Sequence, residues 1–398
     1  MPSAPPSGEP APPDGALPPE ALHTLGRNGF GVYVHVPYCA HRCGYCDFNT
    51  YVDDTGAAAS YAAAAIAEVR LAARVLKDPP PARTVFFGGG TPTLLPPDDL
   101  TRILGAIRDE LGLAPDAEVT TEANPETLDP PRLAALRAGG INRLSLGMQS
   151  AVPHVLDVLE RRHTPGRATA VVAEARSAGF DRVSLDLIYG APGETGDDWR
   201  RSLDAVLAAD PGHVSAYSLT VEPGTRLHAQ VTRGELPAPD DDVLADRYEL
   251  ADDLLAAAGY GWYEISNWAR TPADRARHNE LYWRDGDWWG VGPGAHSHVG
   301  GVRWWNVRLP RDHAAAVEAG RSPAQAREVL DADARRVERV LLGVRLADGH
   351  PAAEVDAGTA AELAAEGLLD PDALAGGLLV LTRRGRLLAD AVVLRLVG

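Results

Sequence analysis

The chain has 398 residues, 45% of them hydrophobic and 23% charged, the composition of an ordinary globular protein long enough for two or three domains or one large barrel with an appendage. A formal net charge of −17 disfavours tRNA and DNA as substrates, because a nucleic-acid binder usually carries a basic face that displaces counterions, although Arg161, Arg162 and Arg167 do cluster locally. No run approaches the ~18 apolar residues of a spanning helix, and the N-terminus lacks the positive start and apolar centre of a signal peptide, so a cytoplasmic protein without a transmembrane segment is expected.

Residues 1–27 are rich in Pro, Ala and Gly, too poor in apolar surface to offset the entropy of ordering, and read as a disordered tail. From Gly31 short β-rich runs alternate with Ala- and Leu-rich helical stretches. Strands are expected at 31–37, 84–90, 118–125, 142–150, 182–192 and 213–220, and helices at 61–76, 98–111, 165–179 and 197–210. Six such βα units make either an incomplete barrel or a doubly wound sheet, and strand order is what separates the two. Polar residues and glycines gather at the C-terminal ends of the strands, at Cys39, Gly88 to Thr91, Glu122, Gln149 and Asp186, the end where sites assemble in both architectures. Beyond a core of 28–240, a long helix at 241–258, an aromatic segment from Tyr260 to Trp305 and a strand-like run at 377–382 suggest a second, smaller α+β domain over 241–398.

The chain holds three cysteines, and Cys39, Cys43 and Cys46 all fall within eight positions of one loop. An odd number in a reducing compartment argues against disulfides and for free thiols or metal ligands. Thiolates select zinc, copper(I) or iron–sulfur clusters. A closed zinc site wants four ligands and would have to recruit His35 or His41. A cubane cluster also normally takes four cysteines, so three would leave one iron open to a small molecule.

The spacing CxxxCxxC, with Tyr45 before the last cysteine and a βα barrel around it, resembles the radical S-adenosylmethionine superfamily. The resemblance implies a partial (βα)6 TIM-like barrel and a [4Fe-4S] cluster on the three cysteines with S-adenosylmethionine on the open iron. By the same resemblance Gly89, Gly90 and Thr91 of "FFGGGTPT" meet the methionine ammonium, and Tyr33 sits near the methionine and cluster. Glu122, Gln149, Arg161 and Asp186 resemble the residues holding the ribose hydroxyls and the carboxylate, roles that suit acids, an amide and a guanidinium.

The stretches "YVHVPYC", "LGMQS", "DLIYGAPGET", "YEISNWA" and "HNELYW" extend the likeness to the group that contains oxygen-independent coproporphyrinogen III oxidase and the HemW family of heme chaperones. The oxidase, an enzyme of porphyrin biosynthesis, has a further cysteine two residues after the third, where this chain has Phe48, and an ordered N-terminal extension in place of the proline-rich tail. "HNELYW" matches the chaperones' HNxxYW and offers His278 as a heme ligand, with His296, His298 and Tyr263 in reserve. The chaperone reading therefore stands ahead of the oxidase. It implies heme, heme-accepting proteins such as respiratory-chain components, and an electron donor for the cluster as partners.

Overall fold

The structure, a computed structural model, describes residues 7–52 and 58–398. Alternation along six parallel strands decides its architecture. These are β1 (Phe30–Val36), β2 (Ala82–Gly89), β3 (Leu113–Ala123), β4 (Arg143–Gln149), β5 (Arg182–Tyr189) and β6 (His213–Ser218). One face of each is apolar and fully buried, with Val32 and Val34, Val85 and Phe87, Leu144 and Leu146, Leu185 and Leu187, Val214 and Ala216 in the main core. The other face carries Glu122, Arg143, Ser145, Asp186, His213 and Ser215, which line a cavity. A strand with this period-two pattern can bury its apolar set only on one side, and the helices cover that side.

Those helices are α1 (Ala58–Leu76), α2 (Pro97–Leu111), α3 (Pro130–Ala138), α4 (Arg167–Ser177), α5 (Gly196–Ala209) and α6 (Asp241–Ala257). In α5, Trp199, Leu203 and Val206 recur at helical spacing and are buried, and Thr195 with Asp198 closes a reciprocal capping box at its start. The predicted and observed boundaries differ by a few residues at most, apart from the earlier start of β3 and from α3, which was not predicted.

The parallel strands lie side by side in chain order, β1 to β6, without the reversal of a doubly wound sheet. The architecture is therefore a partial (βα)6 barrel, as the resemblance implied. Its sheet continues at both ends: β7 (Gly261–Glu264) and β8 (Asn267–Ala269) extend it beyond β6, while β9 (Asp287–Val291) pairs parallel with β1 and leads to antiparallel β10 (His296–Val299), β11 (Val302–Asn306) and β12 (Ala324–Val329). Residue 240 is thus not a break in the sheet. The part with a core of its own is smaller than expected: Val340, Leu363, Leu369, Leu379, Val392 and Leu396 form a separate cluster, to which the strand-like run contributes Leu379 and Leu381 and in which it forms a strand only at Leu378–Leu379.

The tail also departs from expectation. Residues 1–6 lie outside the described residues, but Glu9–Pro10 pairs antiparallel with β12, Glu9 accepts from Arg327 Nε at 2.7 Å, and helix Pro19–Thr24 buries Ala21. An unpaired sheet edge supplied the partner that composition alone does not reveal.

A seventh helix, α7 (Arg277–Trp283), closes the floor of the barrel. The Glu118 carboxylate at the lower end of β3 accepts the N–H groups of Arg277 (3.2 Å) and His278 (3.1 Å), which caps the helix start, and Thr84 Oγ1 of β2 bonds His278 Nδ1 at 2.8 Å.

Candidate functional site

Two adjoining cavities open at the C-terminal ends of the strands. The first, about 680 Å³, is lined by Cys39, Cys43 and Cys46 on one side and by Gly89, Gly90, Thr91, Glu122, Gln149, Arg161 and Asp186 on the other. The structure therefore brings together nearly every residue the sequence nominated for cluster and cofactor. The three thiols are free and half-buried. Burial pushes the Cys46 thiol up to about 11 and raises that of Cys39 as well, so metal binding there would have to displace protons. Among the described residues no three His, Cys, Asp or Glu side chains gather tightly enough for a single ion. All three thiols line the same cavity, and three cysteines on one loop suit three corners of a cluster.

Local backbone explains how the opposite wall forms. The ladder slips between Gly147 and Gln149, and Gln149 takes a left-handed φ of 66°, so the bulge re-aims its side chain. A Cβ on Gly147 would lie 2.8 Å from both Arg161 Nη2 and Gln149 Nε2, so only glycine leaves room for the pair. Arg161 donates from Nη2 to Gly147 O (3.0 Å) and from Nη1 to Cys43 Sγ (3.8 Å), while its buried Nε has no partner. A Cβ on Gly90 would meet Tyr38 O at 2.5 Å. The amides of this turn are committed, Gly89 to Glu122 Oε2 (3.1 Å), Gly90 to Val36 O (2.8 Å) and Thr91 to Tyr38 O (2.7 Å), which leaves carbonyl oxygens as what a cationic guest would meet.

The two interior carboxylates are held toward the neutral form. Burial, reinforced by Asp186, pushes Glu122 up to about 8, against the pull of the Gly89 N–H. Burial raises Asp186 too, although Ser145 Oγ (2.8 Å) and Ser184 Oγ (3.0 Å) both donate to it. Ser184 then accepts from His213 Nδ1 (2.8 Å), and His213 Nε2 accepts from the Tyr263 hydroxyl (2.8 Å), which itself accepts the Ala276 N–H (3.1 Å). This chain runs from the cavity to the floor and fixes His213 as the neutral Nδ1–H tautomer, in keeping with burial that lowers its pKa well below the ordinary value.

The second cavity, about 580 Å³, shares Asp47, Phe48, Gly89 and Glu122 with the first and is otherwise lined by Tyr33, His35, Tyr282, Trp288, His296, Trp305, Arg308 and their neighbours. Tyr33 therefore faces this space and not the thiol wall; its hydroxyl meets His35 Nδ1 at 2.9 Å. His278, expected as a heme ligand, lines neither cavity. It is 1% exposed, Thr84 holds its Nδ1, and Tyr282 holds its Nε2 at 2.8 Å. Burial drives its pKa down to about 3, so it is a neutral floor residue stacked under Phe86. His298 and Tyr263 are likewise buried, with His298 Nδ1 at 3.0 Å from Gly286 O.

Sequence reasoning missed the second cavity and the inner positions Arg143, Ser145, His213, Ser215 and Tyr217. The signal for the inner set was present as period-two polarity on each strand, whereas the second cavity joins residues some 260 positions apart. No helix among the described residues is long and apolar enough to cross a membrane.

Comparison with known proteins agrees with this geometry. Residues 33–206 match the family model of the radical SAM superfamily. The heme chaperone HemW of Mycobacterium tuberculosis (strain H37Rv) is 54% identical over 375 residues, 93% of this chain and 95% of that protein. The heme chaperone HemW of Synechocystis is 36% identical, over 80% of this chain and 78% of its own. Among solved structures, the coproporphyrinogen III oxidase HemN of Escherichia coli, described as a radical SAM enzyme, superposes with a TM-score of 0.81 at 24% identity, covering 95% of this chain and 92% of that one.

Proposed function

The chain belongs to the HemW family of the radical SAM superfamily, and from that membership we propose that it is a heme chaperone, binding heme and handing it to acceptor proteins. The observation that carries this reading is 54% identity, spread over 93% of the chain, to a protein named as a heme chaperone. An aromatic-walled second cavity beside the thiol cavity supports it, because a flat apolar guest needs such a space.

In the first cavity the donor set fits a [4Fe-4S] cluster with S-adenosylmethionine. Cys39, Cys43 and Cys46 would hold the cluster, and the partnerless Arg161 Nε would turn to the methionine carboxylate. Carbonyls of Gly89 and Gly90 would face the ammonium, and Glu122, Gln149 and Asp186 the ribose. What that pair supplies when bound is an electron to the sulfonium. The chain's own part is to position it, with Glu122 keeping its proton near neutral pH and so able to donate to a ribose oxygen. Phe48, 56% exposed at the rim shared by both cavities, takes the place of the oxidase's further cysteine. Under this proposal the protein works in the cytoplasm with an electron donor and with heme-accepting proteins such as respiratory-chain components.

The test loads anaerobically reconstituted protein with heme and mixes it with an apo heme protein such as apomyoglobin, following the Soret band. Transfer at stoichiometric yield is expected, with no protoporphyrinogen formed when coproporphyrinogen III, S-adenosylmethionine and reductant are supplied. Catalytic turnover to that product would replace the chaperone by the oxidase.

A further inference from the structure

We propose that heme binds in the second cavity with His296 as its axial ligand and Arg308 as the partner of a propionate. This rests on the chaperone reading and adds to it the place and the ligand. The sequence nominated four side chains of the aromatic segment as iron ligands, His278, His296, His298 and Tyr263, and the structure separates them; Tyr282, also in the cavity wall, has its hydroxyl held by His278 Nε2 at 2.8 Å. His278, His298 and Tyr263 are all 5% exposed or less, and each is held by hydrogen bonds inside the protein. Making any of them a ligand would require opening the floor or the sheet and leaving a buried partner unsatisfied. His296, at the start of β10, is exposed, lines the cavity, and has its ring stacked on Trp305 at 6.0 Å and 28°. His35, also in the wall, is bonded on both ring nitrogens, to the Tyr33 hydroxyl and Asn49 O, each at 2.9 Å.

The rest of the cavity matches the guest. Its volume of about 580 Å³ lies within the ~300–1,000 Å³ of cofactor pockets. Trp288, Trp305 and Tyr282 supply flat apolar walls, and Trp288 Nε1 donates to His296 O at 3.0 Å, which holds the start of β10 in place. Arg308 is half-buried in the same wall, where a guanidinium grips a carboxylate well. The wall also contains two buried polar atoms without a partner, Trp305 Nε1 and Asn306 Oδ1. These would be satisfied by a guest that carries carboxylates and brings water. In neutral form one ring nitrogen of His296 offers its lone pair to iron, the usual proximal arrangement.

The experiment titrates ferric heme into the full chain, reconstituted anaerobically, and reads the Soret position and the electron paramagnetic resonance spectrum of the iron. The variants are His296→Ala, His296→Gly with and without added imidazole, Arg308→Gln and His278→Gln. Expected results are at least about tenfold weaker binding and a changed iron spectrum for His296→Ala, and restoration of that spectrum by imidazole in His296→Gly. Weaker binding with an unchanged iron spectrum is expected for Arg308→Gln. A wild-type spectrum from His296→Ala, or its loss in a folded His278→Gln, overturns the assignment while leaving the chaperone reading in place. Failure of the unaltered protein to bind heme at all overturns both. Should His278→Gln not fold, the exposed His296 and its imidazole rescue still decide.

Discussion

Glu122→Gln offers a direct reading of the cavity's electrostatics. The folded carboxyl titrates at about 8 against an ordinary 4.5, mainly through burial. Between those two values the folded state keeps a proton that the unfolded chain has released, so Glu122's contribution to stability is whole below the lower value. It is lost as pH rises through the upper one. At about 1.4 kcal/mol per pH unit the gap of 8 minus 4.5 sets a ceiling of about 5 kcal/mol. Water in the open cavity screens part of this, and a change of about 2 kcal/mol is expected. Glutamine is nearly isosteric, still accepts the Gly89 N–H and never ionises, so the variant should gain on the unaltered protein by that amount between about pH 5 and about pH 8.5. Urea unfolding of the metal-free protein at the two pH values measures it. Burial also raises Glu264 to about 8 and Glu194 to about 7, but they titrate alike in both proteins and cancel in the difference. A stability difference that does not move with pH would refute the burial argument.

Serine in place of any one of Cys39, Cys43 or Cys46 should abolish the visible absorption and most of the iron after reconstitution, measured by iron and sulfide content. The metal-free fold should stay within about 0.5 kcal/mol, since these thiols line a cavity and not the core. Thr84→Val removes the partner of His278 Nδ1 and should cost about 1–3 kcal/mol in urea unfolding while leaving the Soret titration unchanged, as a floor residue requires.

The barrel was legible because each strand alternates: in "RVSLDLIY" Val183, Leu185 and Leu187 point to helices while Ser184, Asp186 and Ile188 face inward, and a period of two shows in the letters. Strand order does not, since it depends on which edges meet. That Gly89, Glu122, Gln149 and Asp186 share one cavity was readable for the same reason, as they lie toward the ends of successive strands. His278 was not. Its motif announces a histidine among aromatics but says nothing of Thr84 and Glu118, some 160 or more positions earlier, which take up the ring and the backbone beneath it. The order of residues 7–27 escaped likewise, because Glu9 finds Arg327 only when β12 presents an open edge.

The helix that seals the barrel comes from residues 277–283, after all six parallel strands in the order of synthesis. A nascent chain ending before them would own all six parallel strands with their inward-facing acids yet lie open from below, its interior wet. The shift that keeps Glu122 protonated therefore belongs to the finished polypeptide. Any iron loaded earlier would enter a compartment with different proton affinities from the one it finally occupies.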